Sequence, residues 1–108
     1  MATAAPDDNM TMIAELRGRI DRIDREARTT SVRELCQRVA AIGNIARASG
    51  MLPLARLAGS LAEALLRDGR AASVRTWTEA MRESIGHDAQ DEATARIFLA
   101  SVGVRLAG

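Results

Sequence analysis

His87, within IGHDAQDE (residues 85–92), is the only imidazole in the chain, and Asp88, Asp91 and Glu92 follow it closely. An imidazole beside carboxylates can accept a phosphoryl group, titrate near neutrality or join a metal site. The spacing here matches no established metal set. The same carboxylates suit a helix start, where they satisfy free amides and face the positive end of the dipole. We therefore read His87 as a linker residue on the surface, with no metal site around it. Cys36 is the only thiol, and the chain has neither Lys nor Tyr. These residues assemble no nucleophile–base pair, so neither an enzymatic activity nor a cofactor is expected. Cys36 reads as a small buried hydrophobe rather than a reactive group. With no second thiol for a disulfide, it fits a reducing cytoplasm.

Composition narrows the function classes further. All 15 basic side chains are Arg, set against 14 acidic ones; the bias toward Arg is what a GC-rich genome gives. A net charge of +1 lacks the basic face of a nucleic-acid binder. Trp77 and Phe98 are the only aromatics, too few for a base-stacking platform. MATAAPDDN has no basic flank or apolar stretch and is not a signal peptide; residues 1–9 read as a flexible tail. The remainder, residues 10–108, is long enough for one domain with one modest core. Strong helix formers and almost no strand-type clusters predict an all-α chain.

Five helices follow from the periodicity. The first covers about 10–28, with Ile13, Leu16, Ile20, Ile23 and Ala27 as a narrow apolar seam and an Asp21–Arg25 pair on its outer face. Ser31 and Glu34 form a capping box that opens the second helix, and Gly50 ends it in the left-handed conformation. Pro53 suits the first turn of the third helix, whose inner face is Leu54, Leu57, Ala58, Leu61 and Leu65. Gly69 follows it. The fourth spans about 71–85, with Val74, Trp77, Met81 and Ile85 inward. Asp88-Ala-Gln-Asp91 begins the fifth. The short connections imply antiparallel neighbours, hence an up-down four-helix bundle with an additional C-terminal helix.

On a wheel of 100° per residue, the second helix turns Val32, Leu35, Cys36, Val39, Ile42, Gly43 and Ala46 to the core. Beside that face runs a strip of polar and small residues: Arg33, Gln37, Ala40, Asn44 and Arg47. It is a flat ledge on which a partner helix could lie. Arg33, Arg38, Arg47 and Arg56 suit either an acidic partner or plain solvation.

RVAAIGNIARASG (residues 38–50) resembles the central helix of the histidine-containing phosphotransfer family. That family's signature reads His, any, Leu, Lys, Gly, any, Ala, three of any kind, then Gly. Laid without gaps, Ala40 takes the place of the His, Ile42 that of the Leu, Gly43 that of the Lys and Asn44 that of the first Gly, while Ala46 and Gly50 match. Leu35 and Val39 before the site, and Leu54, Leu57 and Leu61 after it, keep family-like spacing. LLRDGRAASVRTWTEAM (residues 65–81) resembles the turn between the family's last two helices. The likeness covers about residues 12–86, on motifs that any amphipathic bundle can share. It implies a phosphorelay scaffold whose phospho-accepting group is missing, since an Ala methyl cannot carry phosphate. What remains is a docking surface for a receiver domain or a histidine kinase. A plain bundle, with Ala40, Ala41 and Gly43 serving close packing, is the other reading.

ARIFLASVGVRLAG (residues 95–108) is apolar nearly all round, which predicts burial on more than one side. It is too short, and too charged at Arg96 and Arg105, to span a bilayer. Ile97, Phe98 and Val102 are its expected contacts in a homodimer; completing the core of a five-helix domain is the alternative.

Overall fold

The apolar seams of the first four helices become their inner faces. The computed structural model describes residues 5–108, with side-chain environments from Asn9 onward. Among the described residues the elements are α1 (Ala5–Glu26), α2 (Val32–Ala48), α3 (Leu52–Asp68), α4 (Val74–Ile85) and α5 (Glu92–Ala107), with a 3-10 turn over Gly69–Ala71 and no strand. α1 begins at Ala5, so the expected tail is helical over residues 5–9. Residues 1–4 of that tail lie outside the described residues. Pro6 falls in the first turn, where its missing N–H breaks no helix bond. α4 begins at Val74, later than expected, because Gly69–Ala71 closes a separate tight turn.

Leu16, Ile20 and Ile23 of α1 are buried against Leu35, Val39, Ile42 and Ala46 of α2, Leu54, Leu57, Ala58, Leu61 and Leu65 of α3, and Trp77, Met81 and Ile85 of α4. Ile13, Val32, Cys36 and Val74 pack only partly against this core. α2 lies most extensively on α3, while α1 touches both α2 and α4, and α5 rests on α3 and α4. Small residues explain the close approach of α2 and α3. A Cβ built on Gly43 would lie 3.4 Å from the Ala58 Cβ and 3.9 Å from the Ala55 carbonyl oxygen.

The turn between α2 and α3 is a Schellman motif. Gly50 has φ +74°; its amide donates to the Arg47 carbonyl, and the Met51 amide reaches back to the Ala46 carbonyl at 2.8 Å. Met51 and Ala46 are both buried, which gives the apolar contact that accompanies this cap. At the other end of α2, Ser31 Oγ accepts from the Glu34 amide at 3.1 Å. Only that half of the capping box forms, because Glu34 turns its carboxylate to Arg38.

Charged clasps tie α1 to its neighbours. Arg38 of α2 binds Glu26 at 2.7 Å and Glu34 at 3.2 Å. Arg82 of α4 binds both Asp24 and Asp21, and the buried Thr78 hydroxyl donates to Asp24 at 2.7 Å. Asp21 thus pairs across helices with Arg82 and not with Arg25 four residues on. Arg70 closes the end of α1, its guanidinium donating to the carbonyls of Ala27, Arg28 and Thr30.

Candidate functional site

The solvent face of α2 carries the expected ledge. Arg33, Gln37, Ala40, Asn44 and Arg47 are all exposed, and Ala41 beside them is half-buried. They share this face because Leu35, Val39, Ile42 and Ala46 anchor the opposite one in the core. Arg47 Nη1 donates to Asn44 Oδ1 at 3.3 Å, which holds both side chains along the helix. No carboxylate pairs with Arg33 or Arg47 among the described residues. The other two arginines considered for an acidic partner are committed within the chain: Arg38 to Glu26 and Glu34, and Arg56 to Glu92 at 2.6 Å.

The small residues of α2 therefore divide between two tasks. Gly43 and Ala46 are buried, and Gly43 lets α3 come near. Ala40 and Asn44 lower the relief of the exposed face. Gly43, the position that the resemblance above sets against a Lys, faces Ala55 and Ala58 of α3. A long cationic side chain would start from a Cβ already in contact.

On α3, which packs against the Cys36 edge of α2, one exposed apolar residue is not singled out by the sequence. Cys36, at the edge of the α2 core face, meets the Ala62 carbonyl with its Sγ at 4.0 Å. One turn beyond Ala62 on the same edge is Leu66, 77% exposed. Its neighbour Leu65 is buried, so the pair of leucines splits between core and surface. The inward i, i+3, i+4 pattern of α3 already excludes Leu66, and that was the available signal.

His87 is exposed and does not join a reactive group. Its Nδ1 accepts from the Ala89 amide at 3.2 Å, and its ring stands edge-on to Phe98 with centroids 5.5 Å apart. Asp91 caps α5, accepting from the Thr94 amide at 2.9 Å. The Thr94 amide and hydroxyl, with a smaller contribution from His87, hold the Asp91 carboxyl below the usual range. α5 thus starts at Glu92, not at Asp88. Among the described residues no three of His, Cys, Asp and Glu converge as metal ligands. A groove of about 320 Å³ between α1 and α4 is lined by Asp21, Asp24, Arg25, Arg75 and Arg82, which already pair among themselves in part.

The three residues expected in a homodimer separate. Ile97 is exposed, Phe98 is half-buried against His87 and the core, and Val102 is wholly buried. Val102 is a core residue and cannot meet a second copy. It lies on the inner face of α5, with Ala95 one turn-pair earlier.

No family model, curated protein or solved structure matches this chain. No helix among the described residues is long and apolar enough to cross a membrane.

Proposed function

We propose that this chain is a non-catalytic, cytoplasmic protein-interaction module of two-component signalling. In this reading it is a phosphotransfer-type up-down bundle that docks a receiver domain or a histidine kinase without accepting phosphate. The observation that carries the proposal is the α2 ledge. It has five exposed residues on one helix face, low relief at its centre and, among the described residues, a cation without a carboxylate partner at each end, with the exposed Leu66 on the adjoining helix α3. Such a face suits a partner that presents carboxylates around a shallow apolar rim, as the phospho-accepting aspartate pocket of a receiver does. Arg33 and Arg47 supply the charge that steers approach, and Ala40 lets the partner's backbone come close. Ala40 offers no acceptor atom, so the complex blocks a relay by occupancy.

The test uses a panel of receiver domains charged with acetyl phosphate and a working phosphotransfer protein. The expected result is no acid-labile label on this chain, together with slowed transfer through the working protein. Asn44→Glu with Arg47→Glu should abolish the interference while leaving the helical content unchanged. Label that disappears in His87→Ala would make His87 an acceptor and overturn the proposal. Neither label nor interference across the panel would also overturn it, and would leave a helical bundle with some other task.

A further inference from the structure

α5 is apolar on two opposite faces, and the core uses only one. Ala95 and Val102 are wholly buried, and Phe98 and Leu99 pack against the core. On the helical wheel, Ala93, Ile97, Ala100, Val104 and Ala107 share the opposite face, and all five are exposed. Ile97 is 68% and Val104 73% exposed. A lone exposed Ile or Val needs no explanation. Here, however, the spacing runs 4, 3, 4, 3, which is the seam of a coiled coil, and the row contains no polar residue.

We infer that this face docks a second copy of the chain, with the two α5 helices antiparallel. The order of sizes is the reason for choosing a second copy. Alanines recur every seventh residue, and a larger side chain sits between each pair. A two-fold axis passing between Ile97 and Ala100 places Ile97 of one copy beside Ala100 of the other, and Val104 beside Ala93. Each of these four contacts joins one large and one small side chain, so the helices keep a uniform, close separation over residues 93–104 at native packing density. A parallel pair would stack Ile97 on Ile97 and Ala100 on Ala100, alternating bulky layers with empty ones.

Charge favours the same arrangement. Arg96 flanks the row on the side of Gly103. In the antiparallel pair Arg96 lies beside Gly103 of the second copy, which leaves room for it. Its guanidinium there approaches the last turn of that copy's helix, the negative end of the dipole. The row itself carries no carboxylate or guanidinium that the contact would bury.

Size sets the strength. α5 has 16 residues and is about 24 Å long at 1.5 Å per residue. One such seam buries less than the roughly 1,600 Å² of a standard interface, so the dimer dissociates in the micromolar range or above. The ledge on α2 takes no part in it, and the two surfaces stand or fall separately.

Sedimentation velocity on the full chain carrying Cys36→Ser, from micromolar to millimolar, reads the association. The expected result is a mass that rises from monomer toward dimer. Ile97→Asp should raise the dissociation constant on the order of a hundredfold, since each dimer loses two Ile contacts and places two carboxylates in the apolar seam. Circular dichroism of that variant should match the parent, because Ile97 is outside the core. Orientation is read by mixing Ala93→Cys with Val104→Cys chains in the same background and oxidising them. A mixed disulfide between positions 93 and 104 is expected. A monomer at every concentration would overturn the inference, and so would a dominant 93-to-93 disulfide.

Discussion

Gly43 of α2 and Ala58 of α3 meet so closely that a single added carbon on Gly43 would stand 3.4 Å from the Ala58 Cβ. This contact fixes how near the two helices lie. Gly43→Ala sets a gain in helix propensity of up to about 1 kcal/mol against a slight displacement of Ala58, and should be nearly neutral. Gly43→Ile overpacks the same place and should cost about 1–3 kcal/mol. Urea denaturation of both variants measures the difference.

Asp24 joins Arg82 and Thr78 across the α1–α4 interface. Thr78 is wholly buried; removing Asp24 takes away its charged acceptor, leaves the hydroxyl only the Arg75 carbonyl at 3.1 Å, and leaves Arg82 with Asp21 alone. Asp24→Ala should destabilise by about 1–3 kcal/mol. A double-mutant cycle with Arg82→Met should show coupling on the order of 1 kcal/mol. Additive effects would mean that the clasp contributes little to holding α1 in place.

Arg70 donates to three carbonyls at the end of α1 and the turn that follows. Arg70→Ala leaves those acceptors to water and removes a cation from the negative end of the helix dipole. Hydrogen exchange should quicken over residues 26–31, and stability should fall by about 1 kcal/mol. Exchange in α2 beyond its first turn should be unchanged.

Two carboxyls link the fold to acid. The Arg38 guanidinium beside Glu26 holds its carboxyl below the usual range, as the Thr94 donors do for Asp91. Each binds its proton more weakly in the fold than in the unfolded chain. Their stabilisation is therefore complete above the ordinary carboxylate range and is lost as pH falls below about 4. Thermal midpoints should drop between about pH 4 and pH 2. Glu26→Gln and Asp91→Asn should each flatten that drop, since an amide has no proton to gain.

The sequence shows the inner faces of α1, α2 and α3 because each has apolar residues at helical spacing on one side only. Gly50 is legible for a similar reason: its left-handed φ closes a helix whose periodicity has just run out. The exposed ledge follows from the same wheel. What the sequence does not show is pairing across distance. Arg82 and its partners Asp21 and Asp24 lie in different helices, and each acid has a basic neighbour on its own helix that competes for it on paper. The inner face of α5 is not legible for another reason. With apolar residues on both sides, periodicity cannot say which row faces inward, and Val102, expected at a dimer contact, belongs to the core.

The α2–α3 turn also bears on the order of events as the chain folds. Its Schellman cap joins two helices through three residues, and the Gly43–Ala58 contact needs only a short loop to close. Little chain entropy opposes this hairpin, whereas α1 must find α4 across more than fifty residues. The hairpin is the natural nucleus, and α1 and α5 condense on it later. Ala58→Gly should then slow folding, while Val102→Ala should chiefly hasten unfolding.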